Sequence, residues 1–134
     1  MKKVMVFGSY DLLHDGHKYF FDKAKKLGDK LIVVLARDGT IEEFKGKKPK
    51  YNEKERLACV NEVESVDKVV LGYKGDKMRI VEEIMPDVIA LGYDQESFVE
   101  KLIEVIKDRG WKIKIVRIGS YKPERFKSSL LKEV

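Results

Sequence analysis

The sequence predicts a single α/β domain with a doubly wound, Rossmann-like parallel sheet of five strands. Short apolar runs alternate along the chain with segments whose apolar residues recur at helical spacing. This alternation is typical of right-handed βαβ units. The chain has 134 residues, which is enough for one hydrophobic core and too few for two. We therefore expect residues 1–134 to form one domain.

The first strand and helix surround a glycine-rich junction. The apolar run 4–7 predicts a buried strand that ends at Gly8, and an amphipathic helix begins near Gly16. The second strand, 31–35, is apolar throughout, as expected for a strand that is covered on both faces. The inner face of the first helix carries Phe20, Phe21, Ala24 and Leu27.

The segment 37–51 differs from its surroundings because it contains the dense basic run 45–50. We predict a loop here, since the run is too polar to pack against a core. Asn52 and Glu55 then have the spacing of a capping box, which predicts the start of a helix. A third strand follows at 68–71.

The remaining elements continue the alternation. Asp76 is predicted to cap a helix that stops before Pro86. Apolar runs at 88–91 and 113–118 predict the fourth and fifth strands, and the periodic segment 98–109 between them predicts a helix.

Composition limits the possible partners. The chain has 28 Lys and Arg against 23 Asp and Glu, a net charge of +5, and both signs are interleaved. This modest excess suits an anionic substrate, but no basic and aromatic patch accompanies it, so we expect no nucleic-acid partner. No apolar stretch is long enough to span a bilayer, and the single cysteine suits a reducing cytosol. We expect a cytoplasmic protein with no membrane partner.

Two histidines lie where the first strand passes into the first helix. His14 and His17 are three positions apart, Gly16 lies between them, and Asp11 precedes them. The carboxyl end of a parallel strand is where α/β sheets bind ligands, and a helix N-terminus attracts anions. The junction therefore predicts a phosphate site, in which Asp11 orients a histidine or helps to hold a divalent cation.

A zinc site is the main alternative for this histidine pair. Zinc requires a third and usually a fourth ligand, yet the chain has no further histidine and only Cys59 as a thiol. Carboxylates alone would have to complete such a site. A zinc-dependent hydrolase thus stays open as a hypothesis, next to the simpler interpretation that each histidine has only a structural role.

The stretch Gly8-Ser9-Tyr10-Asp11-Leu12-Leu13-His14-Asp15-Gly16-His17 resembles the HxGH signature of the cytidylyltransferase-like nucleotidyltransferases. The resemblance implies transfer of a nucleoside monophosphate from a nucleoside triphosphate to a phosphorylated acceptor, with release of pyrophosphate. It also implies Mg²⁺ or another divalent cation, and a homodimer. It assigns catalysis to His14 and His17, and nucleotide binding to these two and to Gly8, Ser9, Tyr10, Asp11, Asp15 and Gly16.

Within this superfamily, further segments are similar to archaeal FAD synthases. That resemblance implies ATP and FMN as substrates. The alternative is a glycerol-3-phosphate cytidylyltransferase, which would use CTP and glycerol 3-phosphate; those enzymes carry an arginine two places before Asp67, where this chain has Ser65. The segments similar to FAD synthases are 36–38, 45–49, 55–56, 66–68 and 91–95.

Basic side chains in and after the predicted loop are further candidates. By resemblance, Lys45 and Lys47 are catalytic residues that neutralise phosphates, and Lys47 and Arg56 bind the acceptor phosphate. An exposed Arg56 that only pairs with its helical neighbours is an equally good interpretation. Asp67 either orients the site or merely begins a strand.

The last candidates come from the second half of the chain. Gly92 and Asp94 follow the fourth strand, which we expect beside the first, and there they could receive the base and ribose of a nucleotide. A tight turn capped by Asp94 would explain the same two residues without a ligand. A nucleotide-binding module without chemistry also remains possible. The resemblance adds Arg117, Tyr121, Ser128 and Ser129 as nucleotide-binding residues.

Overall fold

A parallel sheet forms the centre of the computed structural model, which describes residues 1–74, 76–93, 95 and 98–119. Within these residues the strands lie in the order β3-β2-β1-β4-β5, and every neighbouring pair is parallel. The prediction of a five-stranded Rossmann-like sheet is confirmed. The strands are β1 (Lys3–Gly8), β2 (Lys30–Leu35), β3 (Lys68–Leu71), β4 (Val88–Leu91) and β5 (Lys114–Arg117).

Helices connect the strands and cover both faces of the sheet. Side chains of β1 alternate between the faces, so that Val4 and Val6 belong to one buried cluster and Met5 and Phe7 to the other. The first cluster includes residues of α1 and α3, and the second includes residues of α4 and α5. The helices are α1 (Asp15–Lys25), α2 (Asp38–Lys45), α3 (Glu53–Asn61), α4 (Lys77–Ile84) and α5 (Val99–Arg109).

Helix α2 is an element that the sequence analysis missed. The segment 37–51 was predicted as a loop, but its first half forms a helix of eight residues that ends at Gly46, which has a left-handed φ of 79°. A single apolar residue, Ile41, is buried beneath it and is only 5% exposed. The prediction of a loop throughout 37–51 was therefore wrong for its first half. The basic run 45–50, predicted to be too polar to pack, is largely exposed, and its residues after Lys45 lie outside the helix.

The chain reverses its direction of winding at β1. Val4 of β1 pairs with Leu31 of β2 on one side and with Val88 of β4 on the other. Strands β2 and β3 extend the sheet in one direction, and β4 and β5 extend it in the other. The carboxyl ends of β1 and β4 thus border the crevice in which sheets of this kind bind ligands.

Asp67 lies at the amino ends of the strands, just before β3, whereas the crevice lies at their carboxyl ends. Its carboxylate accepts a hydrogen bond from the Leu31 backbone N–H at 2.7 Å and pairs with the Lys25 ammonium. These contacts fasten the amino end of β2 to α1. Of the two interpretations of Asp67, the structure therefore agrees with the start of a strand, since β3 begins at Lys68, and not with a role in orienting the site. In the part of the chain that the structure describes, no helix is long and apolar enough to cross a membrane.

Candidate active site

The two signature histidines cap helix α1 with their own side chains. His14 is the N-cap residue, and its Nδ1 accepts a hydrogen bond from the Gly16 backbone N–H at 3.0 Å. In return, the His14 backbone N–H donates to Nδ1 of His17 at 3.3 Å. A nitrogen that accepts a backbone hydrogen bond carries no proton, so this network places the imidazole proton of each histidine on Nε2. Each neutral ring therefore has Nε2–H as its donor.

Aromatic contacts fix the orientation of these rings. The imidazoles of His14 and His17 stack with centroids 3.9 Å apart and planes 22° apart. The ring of Tyr10 meets His17 edge to face at 5.2 Å and meets Phe21 at 5.0 Å. Because Tyr10 is buried among these contacts, it connects the histidine pair to the core beneath α1.

Gly8 and Tyr10 depend on each other. Tyr10 has a positive φ of 47°, and its hydroxyl donates to the Phe7 carbonyl at 3.2 Å. Burial raises the pKa of this hydroxyl, which keeps it protonated as a donor. A Cβ atom on Gly8 would lie 2.5 Å from the Tyr10 ring. Only glycine at position 8 allows the tyrosine to fold back over the end of β1.

A cleft of about 620 Å³ opens between the N-terminus of α1 and the ends of β1 and β4. Both histidines line it, and it has the size of a small-molecule site. The structure therefore brings together most of the nucleotide-binding residues that the signature predicts. Those at this cleft are Gly8, Ser9, Tyr10, His14, Asp15, Gly16, His17 and Gly92.

Gln95 closes the back of the cleft, and the sequence analysis did not single it out. Its Oε1 accepts from the Gly92 backbone N–H at 2.8 Å, and its Nε2 donates to the Phe7 carbonyl at 3.0 Å. The side chain thereby joins the ends of β4 and β1. Arg117, predicted to bind nucleotide, donates from Nη1 to the carbonyls of Gly92 at 2.8 Å and Gln95 at 2.9 Å. In this structure it supports the turn that carries Gly92.

Asp11 fastens the basic segment to the signature. Its two carboxylate oxygens accept from the backbone N–H groups of Lys50 at 2.7 Å and Tyr51 at 2.8 Å. Desolvation raises the pKa of this carboxyl, but the two backbone hydrogen bonds and the charges of Arg56 and Lys45 outweigh it, so that the pKa is lowered. Asp11 therefore holds a loop, and the prediction that it orients a histidine is not what the structure shows.

Arg56 is buried, and its guanidinium holds three separate segments together. Nε donates to the Tyr51 carbonyl at 3.0 Å, Nη1 to the Ser9 carbonyl at 2.8 Å, and Nη2 to the Asp38 carboxylate at 2.8 Å. The side chain of Arg56 is 0% exposed, so the interpretation of an exposed helical partner was wrong. These three partners engage Nε, Nη1 and Nη2 of Arg56, and its contact with an acceptor phosphate stays a prediction.

A second, smaller cleft lies on the other side of β1. It measures about 320 Å³ and runs between α2 and α4 at the carboxyl ends of β1 and β2. Lys45 lines it, and both Lys45 and Lys47 are exposed. The two clefts share Phe7, Gly8, Ser9 and Gln95 as a common wall. The apolar lining of the smaller cleft includes Val34, Leu35, Ile41, Phe44, Ile80 and Phe98.

Several predicted features are not visible in this geometry. Asp94, Tyr121, Ser128 and Ser129 lie outside the described residues. Among the residues that the structure does describe, no three His, Cys, Asp or Glu side chains are grouped so that they could hold a metal ion. The zinc hypothesis needs such a group, and the described part of the chain does not supply it.

Comparison with known proteins assigns the family. Residues 5–134 match the family model described as Cytidylyltransferase-like. The chain belongs to the cytidylyltransferase-like family. As a member of this family it is a nucleotidyltransferase, as the resemblance of the signature implied.

Curated relatives of this cytidylyltransferase-like chain carry the name FAD synthase. One from Aciduliprofundum boonei is 46% identical over 121 residues, which cover 90% of this chain and 80% of the relative. Another, from Thermoplasma volcanium, is 43% identical over 133 residues, which cover 99% of this chain and 93% of the relative.

Solved structures share the fold. One described as a lipopolysaccharide core biosynthesis protein from Thermoplasma volcanium is 45% identical, with a TM-score of 0.84 over 91% of this chain and 99% of that one. Pantothenate synthetase from Thermus thermophilus is 14% identical, with a TM-score of 0.63 over 92% of this chain and 58% of that one. This second similarity shows the fold alone.

Proposed function

We propose that this chain is an FMN adenylyltransferase, which joins ATP and FMN to form FAD and pyrophosphate. The observation that carries the proposal is the pair of clefts on either side of Phe7, Gly8 and Ser9. One cleft contains the phosphate-binding signature, and the other has a largely apolar lining. An acceptor phosphate held at the common wall would lie beside a nucleotide in the cleft of the signature. The rest of the acceptor would then extend into the smaller, apolar cleft.

The chemistry is an in-line displacement. An oxygen of the FMN phosphate attacks the α-phosphorus of ATP, the bond from that phosphorus to the β-phosphate oxygen breaks, and pyrophosphate leaves with the electron pair. The acceptor phosphate is already anionic, so positioning and charge stabilisation are the main tasks of the protein. His14 and His17 donate from Nε2 to the phosphate oxygens as negative charge develops, and the N-terminus of α1 adds its partial positive charge.

Two lysines of the basic segment complete the charge balance. Lys45, at the C-terminal end of α2, lines the smaller cleft, which we call the acceptor cleft. Lys47 follows in the segment whose end Asp11 holds. We assign to both the neutralisation of phosphate groups, with Lys47 on the acceptor. Arg56 acts indirectly, because it holds the Ser9 carbonyl and the Asp38 carboxylate in place.

The acceptor cleft favours FMN over glycerol 3-phosphate. Aromatic and aliphatic side chains from α2, α4 and β2 line it. A flavin ring gains from apolar and aromatic contact, whereas the glycerol moiety is small and hydroxylated and gains little. The name FAD synthase of the relatives from A. boonei and T. volcanium supports the same acceptor.

We infer that Mg²⁺ arrives with the nucleotide. No described group of three acidic or histidine side chains is present to hold a resident ion, and the carboxylate of Asp11 is already engaged by the backbone of Lys50 and Tyr51. Mg²⁺ commonly binds through substrate phosphates and few protein ligands; when bound, it stabilises charge on the triphosphate. Chelation with EDTA should abolish turnover and leave the thermal unfolding midpoint unchanged. A fall in that midpoint would reveal a resident structural ion.

Assembly and location also belong to the proposal. We propose a homodimer, as the superfamily resemblance implies, that acts in the cytoplasm without nucleic-acid or membrane partners. Sedimentation equilibrium measures the mass in solution directly. The mass of one chain, 15.5 kDa, would contradict the dimer.

The decisive assay crosses ATP or CTP with FMN or glycerol 3-phosphate and follows pyrophosphate release with Mg²⁺ present. We expect turnover with ATP and FMN, with FAD as the product. Turnover only with CTP and glycerol 3-phosphate would overturn the assignment of ATP and FMN as substrates, but the reaction would still be a nucleotidyl transfer. Saturable ATP binding without pyrophosphate release in any combination would leave a nucleotide-binding module and refute the proposal.

A further inference from the structure

Phe44 is a large aromatic residue that the fold leaves uncovered. It is 76% exposed, whereas Ile41, three residues earlier on α2, is 5% exposed. Both line the acceptor cleft. Helix α2 therefore buries one apolar residue in the core and holds a second at the open side of an apolar cleft, where an exposed aromatic ring suggests a partner.

The opposite side of the cleft is a fixed apolar wall. Phe98 packs edge to face on Phe7, with ring centroids 5.2 Å apart, and Ile80 of α4 is buried beside it. The Lys77 ammonium lies 5.2 Å from the centroid of the Phe98 ring. A flat conjugated ring in this cleft would have this wall on one side and Phe44 on the other.

The amino end of α2 is held in place before any ligand binds. The Asp38 carboxylate accepts from the buried Arg56, and the Asp38 backbone N–H donates to Glu53 at 2.9 Å. Arg37, just before the helix, donates from Nε to the Gly72 carbonyl at 2.7 Å. Phe44 is thus presented from an anchored helix, which lowers the ordering cost of a contact with a ligand.

We propose that Phe44 stacks on the isoalloxazine ring of FMN and is a specificity residue that makes the acceptor cleft select a flavin. The inference rests on the proposed function. The position of Phe44 supports it. Arg56 links Asp38, at the amino end of α2, to the Ser9 carbonyl on the wall that both clefts share, where the reacting phosphate belongs. Phe44 lines the acceptor cleft six residues further along the same helix. Small phosphorylated acceptors would not reach this residue.

The test compares four variants with the wild-type chain. Phe44→Ala removes the ring, Phe44→Leu keeps an apolar side chain without aromaticity, and Phe44→Trp keeps an aromatic ring. Ile103→Ala is the matched control, because Ile103 is 50% exposed on α5 and does not line the cleft. For each protein, Kd for FMN is measured by flavin fluorescence, KM and kcat by FAD formation, and mass by sedimentation.

We expect Phe44→Ala to raise the Kd and the KM for FMN about tenfold, which corresponds to about 1.4 kcal/mol, while the KM for ATP stays unchanged. Phe44→Leu should be intermediate, and Phe44→Trp should bind FMN as the wild type does, with quenching of the new tryptophan. Ile103→Ala should match the wild type.

Two results separate the inference from the function on which it rests. A wild-type chain that forms FAD, together with an unchanged Kd for FMN in Phe44→Ala, would overturn the role of Phe44 and leave the activity intact. A lower mass in Phe44→Ala with unchanged FMN binding would assign the residue to a contact between copies and would equally overturn the inference. A wild-type chain that neither binds FMN nor forms FAD would refute both the role of Phe44 and the proposed function.

Discussion

The signature histidines use one ring nitrogen for the fold, and we propose that they use the other for the ligand. Nδ1 of each accepts from the backbone at the start of α1, and this fixes the proton on Nε2. The usual capping box uses a hydroxyl and a carboxylate or amide for these two positions. Histidine makes the same cap and in addition offers a neutral N–H donor.

The two duties of His17 can be separated by substitution. His17→Ala should lower kcat on the order of 10²–10³-fold, as expected for loss of one donor to developing charge, and should cost about 1 kcal/mol of stability through loss of the cap. His17→Gln keeps an acceptor for the His14 backbone N–H, so its stability should stay close to wild type while kcat still falls. Pyrophosphate release and urea unfolding measure the two effects. Wild-type turnover in His17→Gln would limit His17 to a structural role.

Arg56 is a second residue whose importance is structural. Arg56→Ala should lower the free energy of unfolding by about 3 kcal/mol, because it removes a fully buried side chain together with its hydrogen bonds to the Ser9 and Tyr51 carbonyls and its ion pair with Asp38. Arg79→Ala is a control on an exposed pair, since Arg79 and Glu83 are 3.9 Å apart with side chains 61% and 46% exposed. That control should cost less than about 1 kcal/mol. Equal losses in urea unfolding would contradict the role assigned to Arg56.

Sequence reasoning succeeded where the signal is local and failed where it depends on distant partners. The capping box of Asn52 and Glu55 and the cap at Asp76 are confirmed, because each involves neighbours along the chain. The burial of Arg56 depends on acceptors at positions 9 and 38, which no local pattern connects to it. The capping role of His14 was missed because histidine is not among the preferred N-cap residues.

At the scale of elements, the strands were the most predictable part of the fold. Their apolar runs lie on both faces of a parallel sheet, so each run is continuous in sequence. Helix α2 escaped prediction because it buries a single residue, Ile41, and because its polar anchors join Asp38 to Glu53 and Arg56, which are distant in sequence. The smaller cleft, which we propose binds the acceptor, was missed for the same reason, since α2 forms one of its walls. Ile41 and Phe44 have helical spacing, but two apolar residues in a polar segment are too short a pattern to indicate a helix.

The connection between α1, β2 and β3 should depend on pH through Asp67. Desolvation raises the pKa of this carboxyl, but hydrogen bonds from Lys25 and from the Leu31 backbone outweigh it and lower the pKa below its ordinary value of 3.8. The charged form therefore stabilises the folded state above that value, and the contribution is lost as the pH falls through the lower folded-state pKa.

Asp67→Asn tests this dependence. The variant should unfold at a lower urea concentration than the wild type at pH 7, and the difference should shrink as the pH falls below about 4. Asp108→Asn, which alters an exposed carboxylate on α5, should follow the wild type at both pH values. A difference between Asp67→Asn and the wild type that is the same at pH 7 and at about pH 3 would show that the charge of Asp67 is not responsible.

At the scale of the whole molecule, the reversal of winding at β1 places two unlike clefts side by side. The sheet order makes β1 the central strand, so its carboxyl end is open to α1 on one side and to α2 and α4 on the other. The fold class predicted a site at this crevice, and the structure adds that two clefts meet there. Their different linings arise from α1 and α2, which the sequence does not place relative to each other.

The wall common to both clefts has a kinetic consequence. A dinucleotide product would occupy both compartments at once, and it would behave as a bivalent ligand whose second half binds at high effective concentration. FAD should therefore bind more tightly than ATP or FMN and should inhibit competitively against each of them, which initial-rate measurements with added FAD would show. Inhibition against only one substrate would mean that the compartments do not hold one continuous ligand. We therefore expect the product to be the strongest inhibitor of this enzyme, and its departure to limit the rate of each cycle.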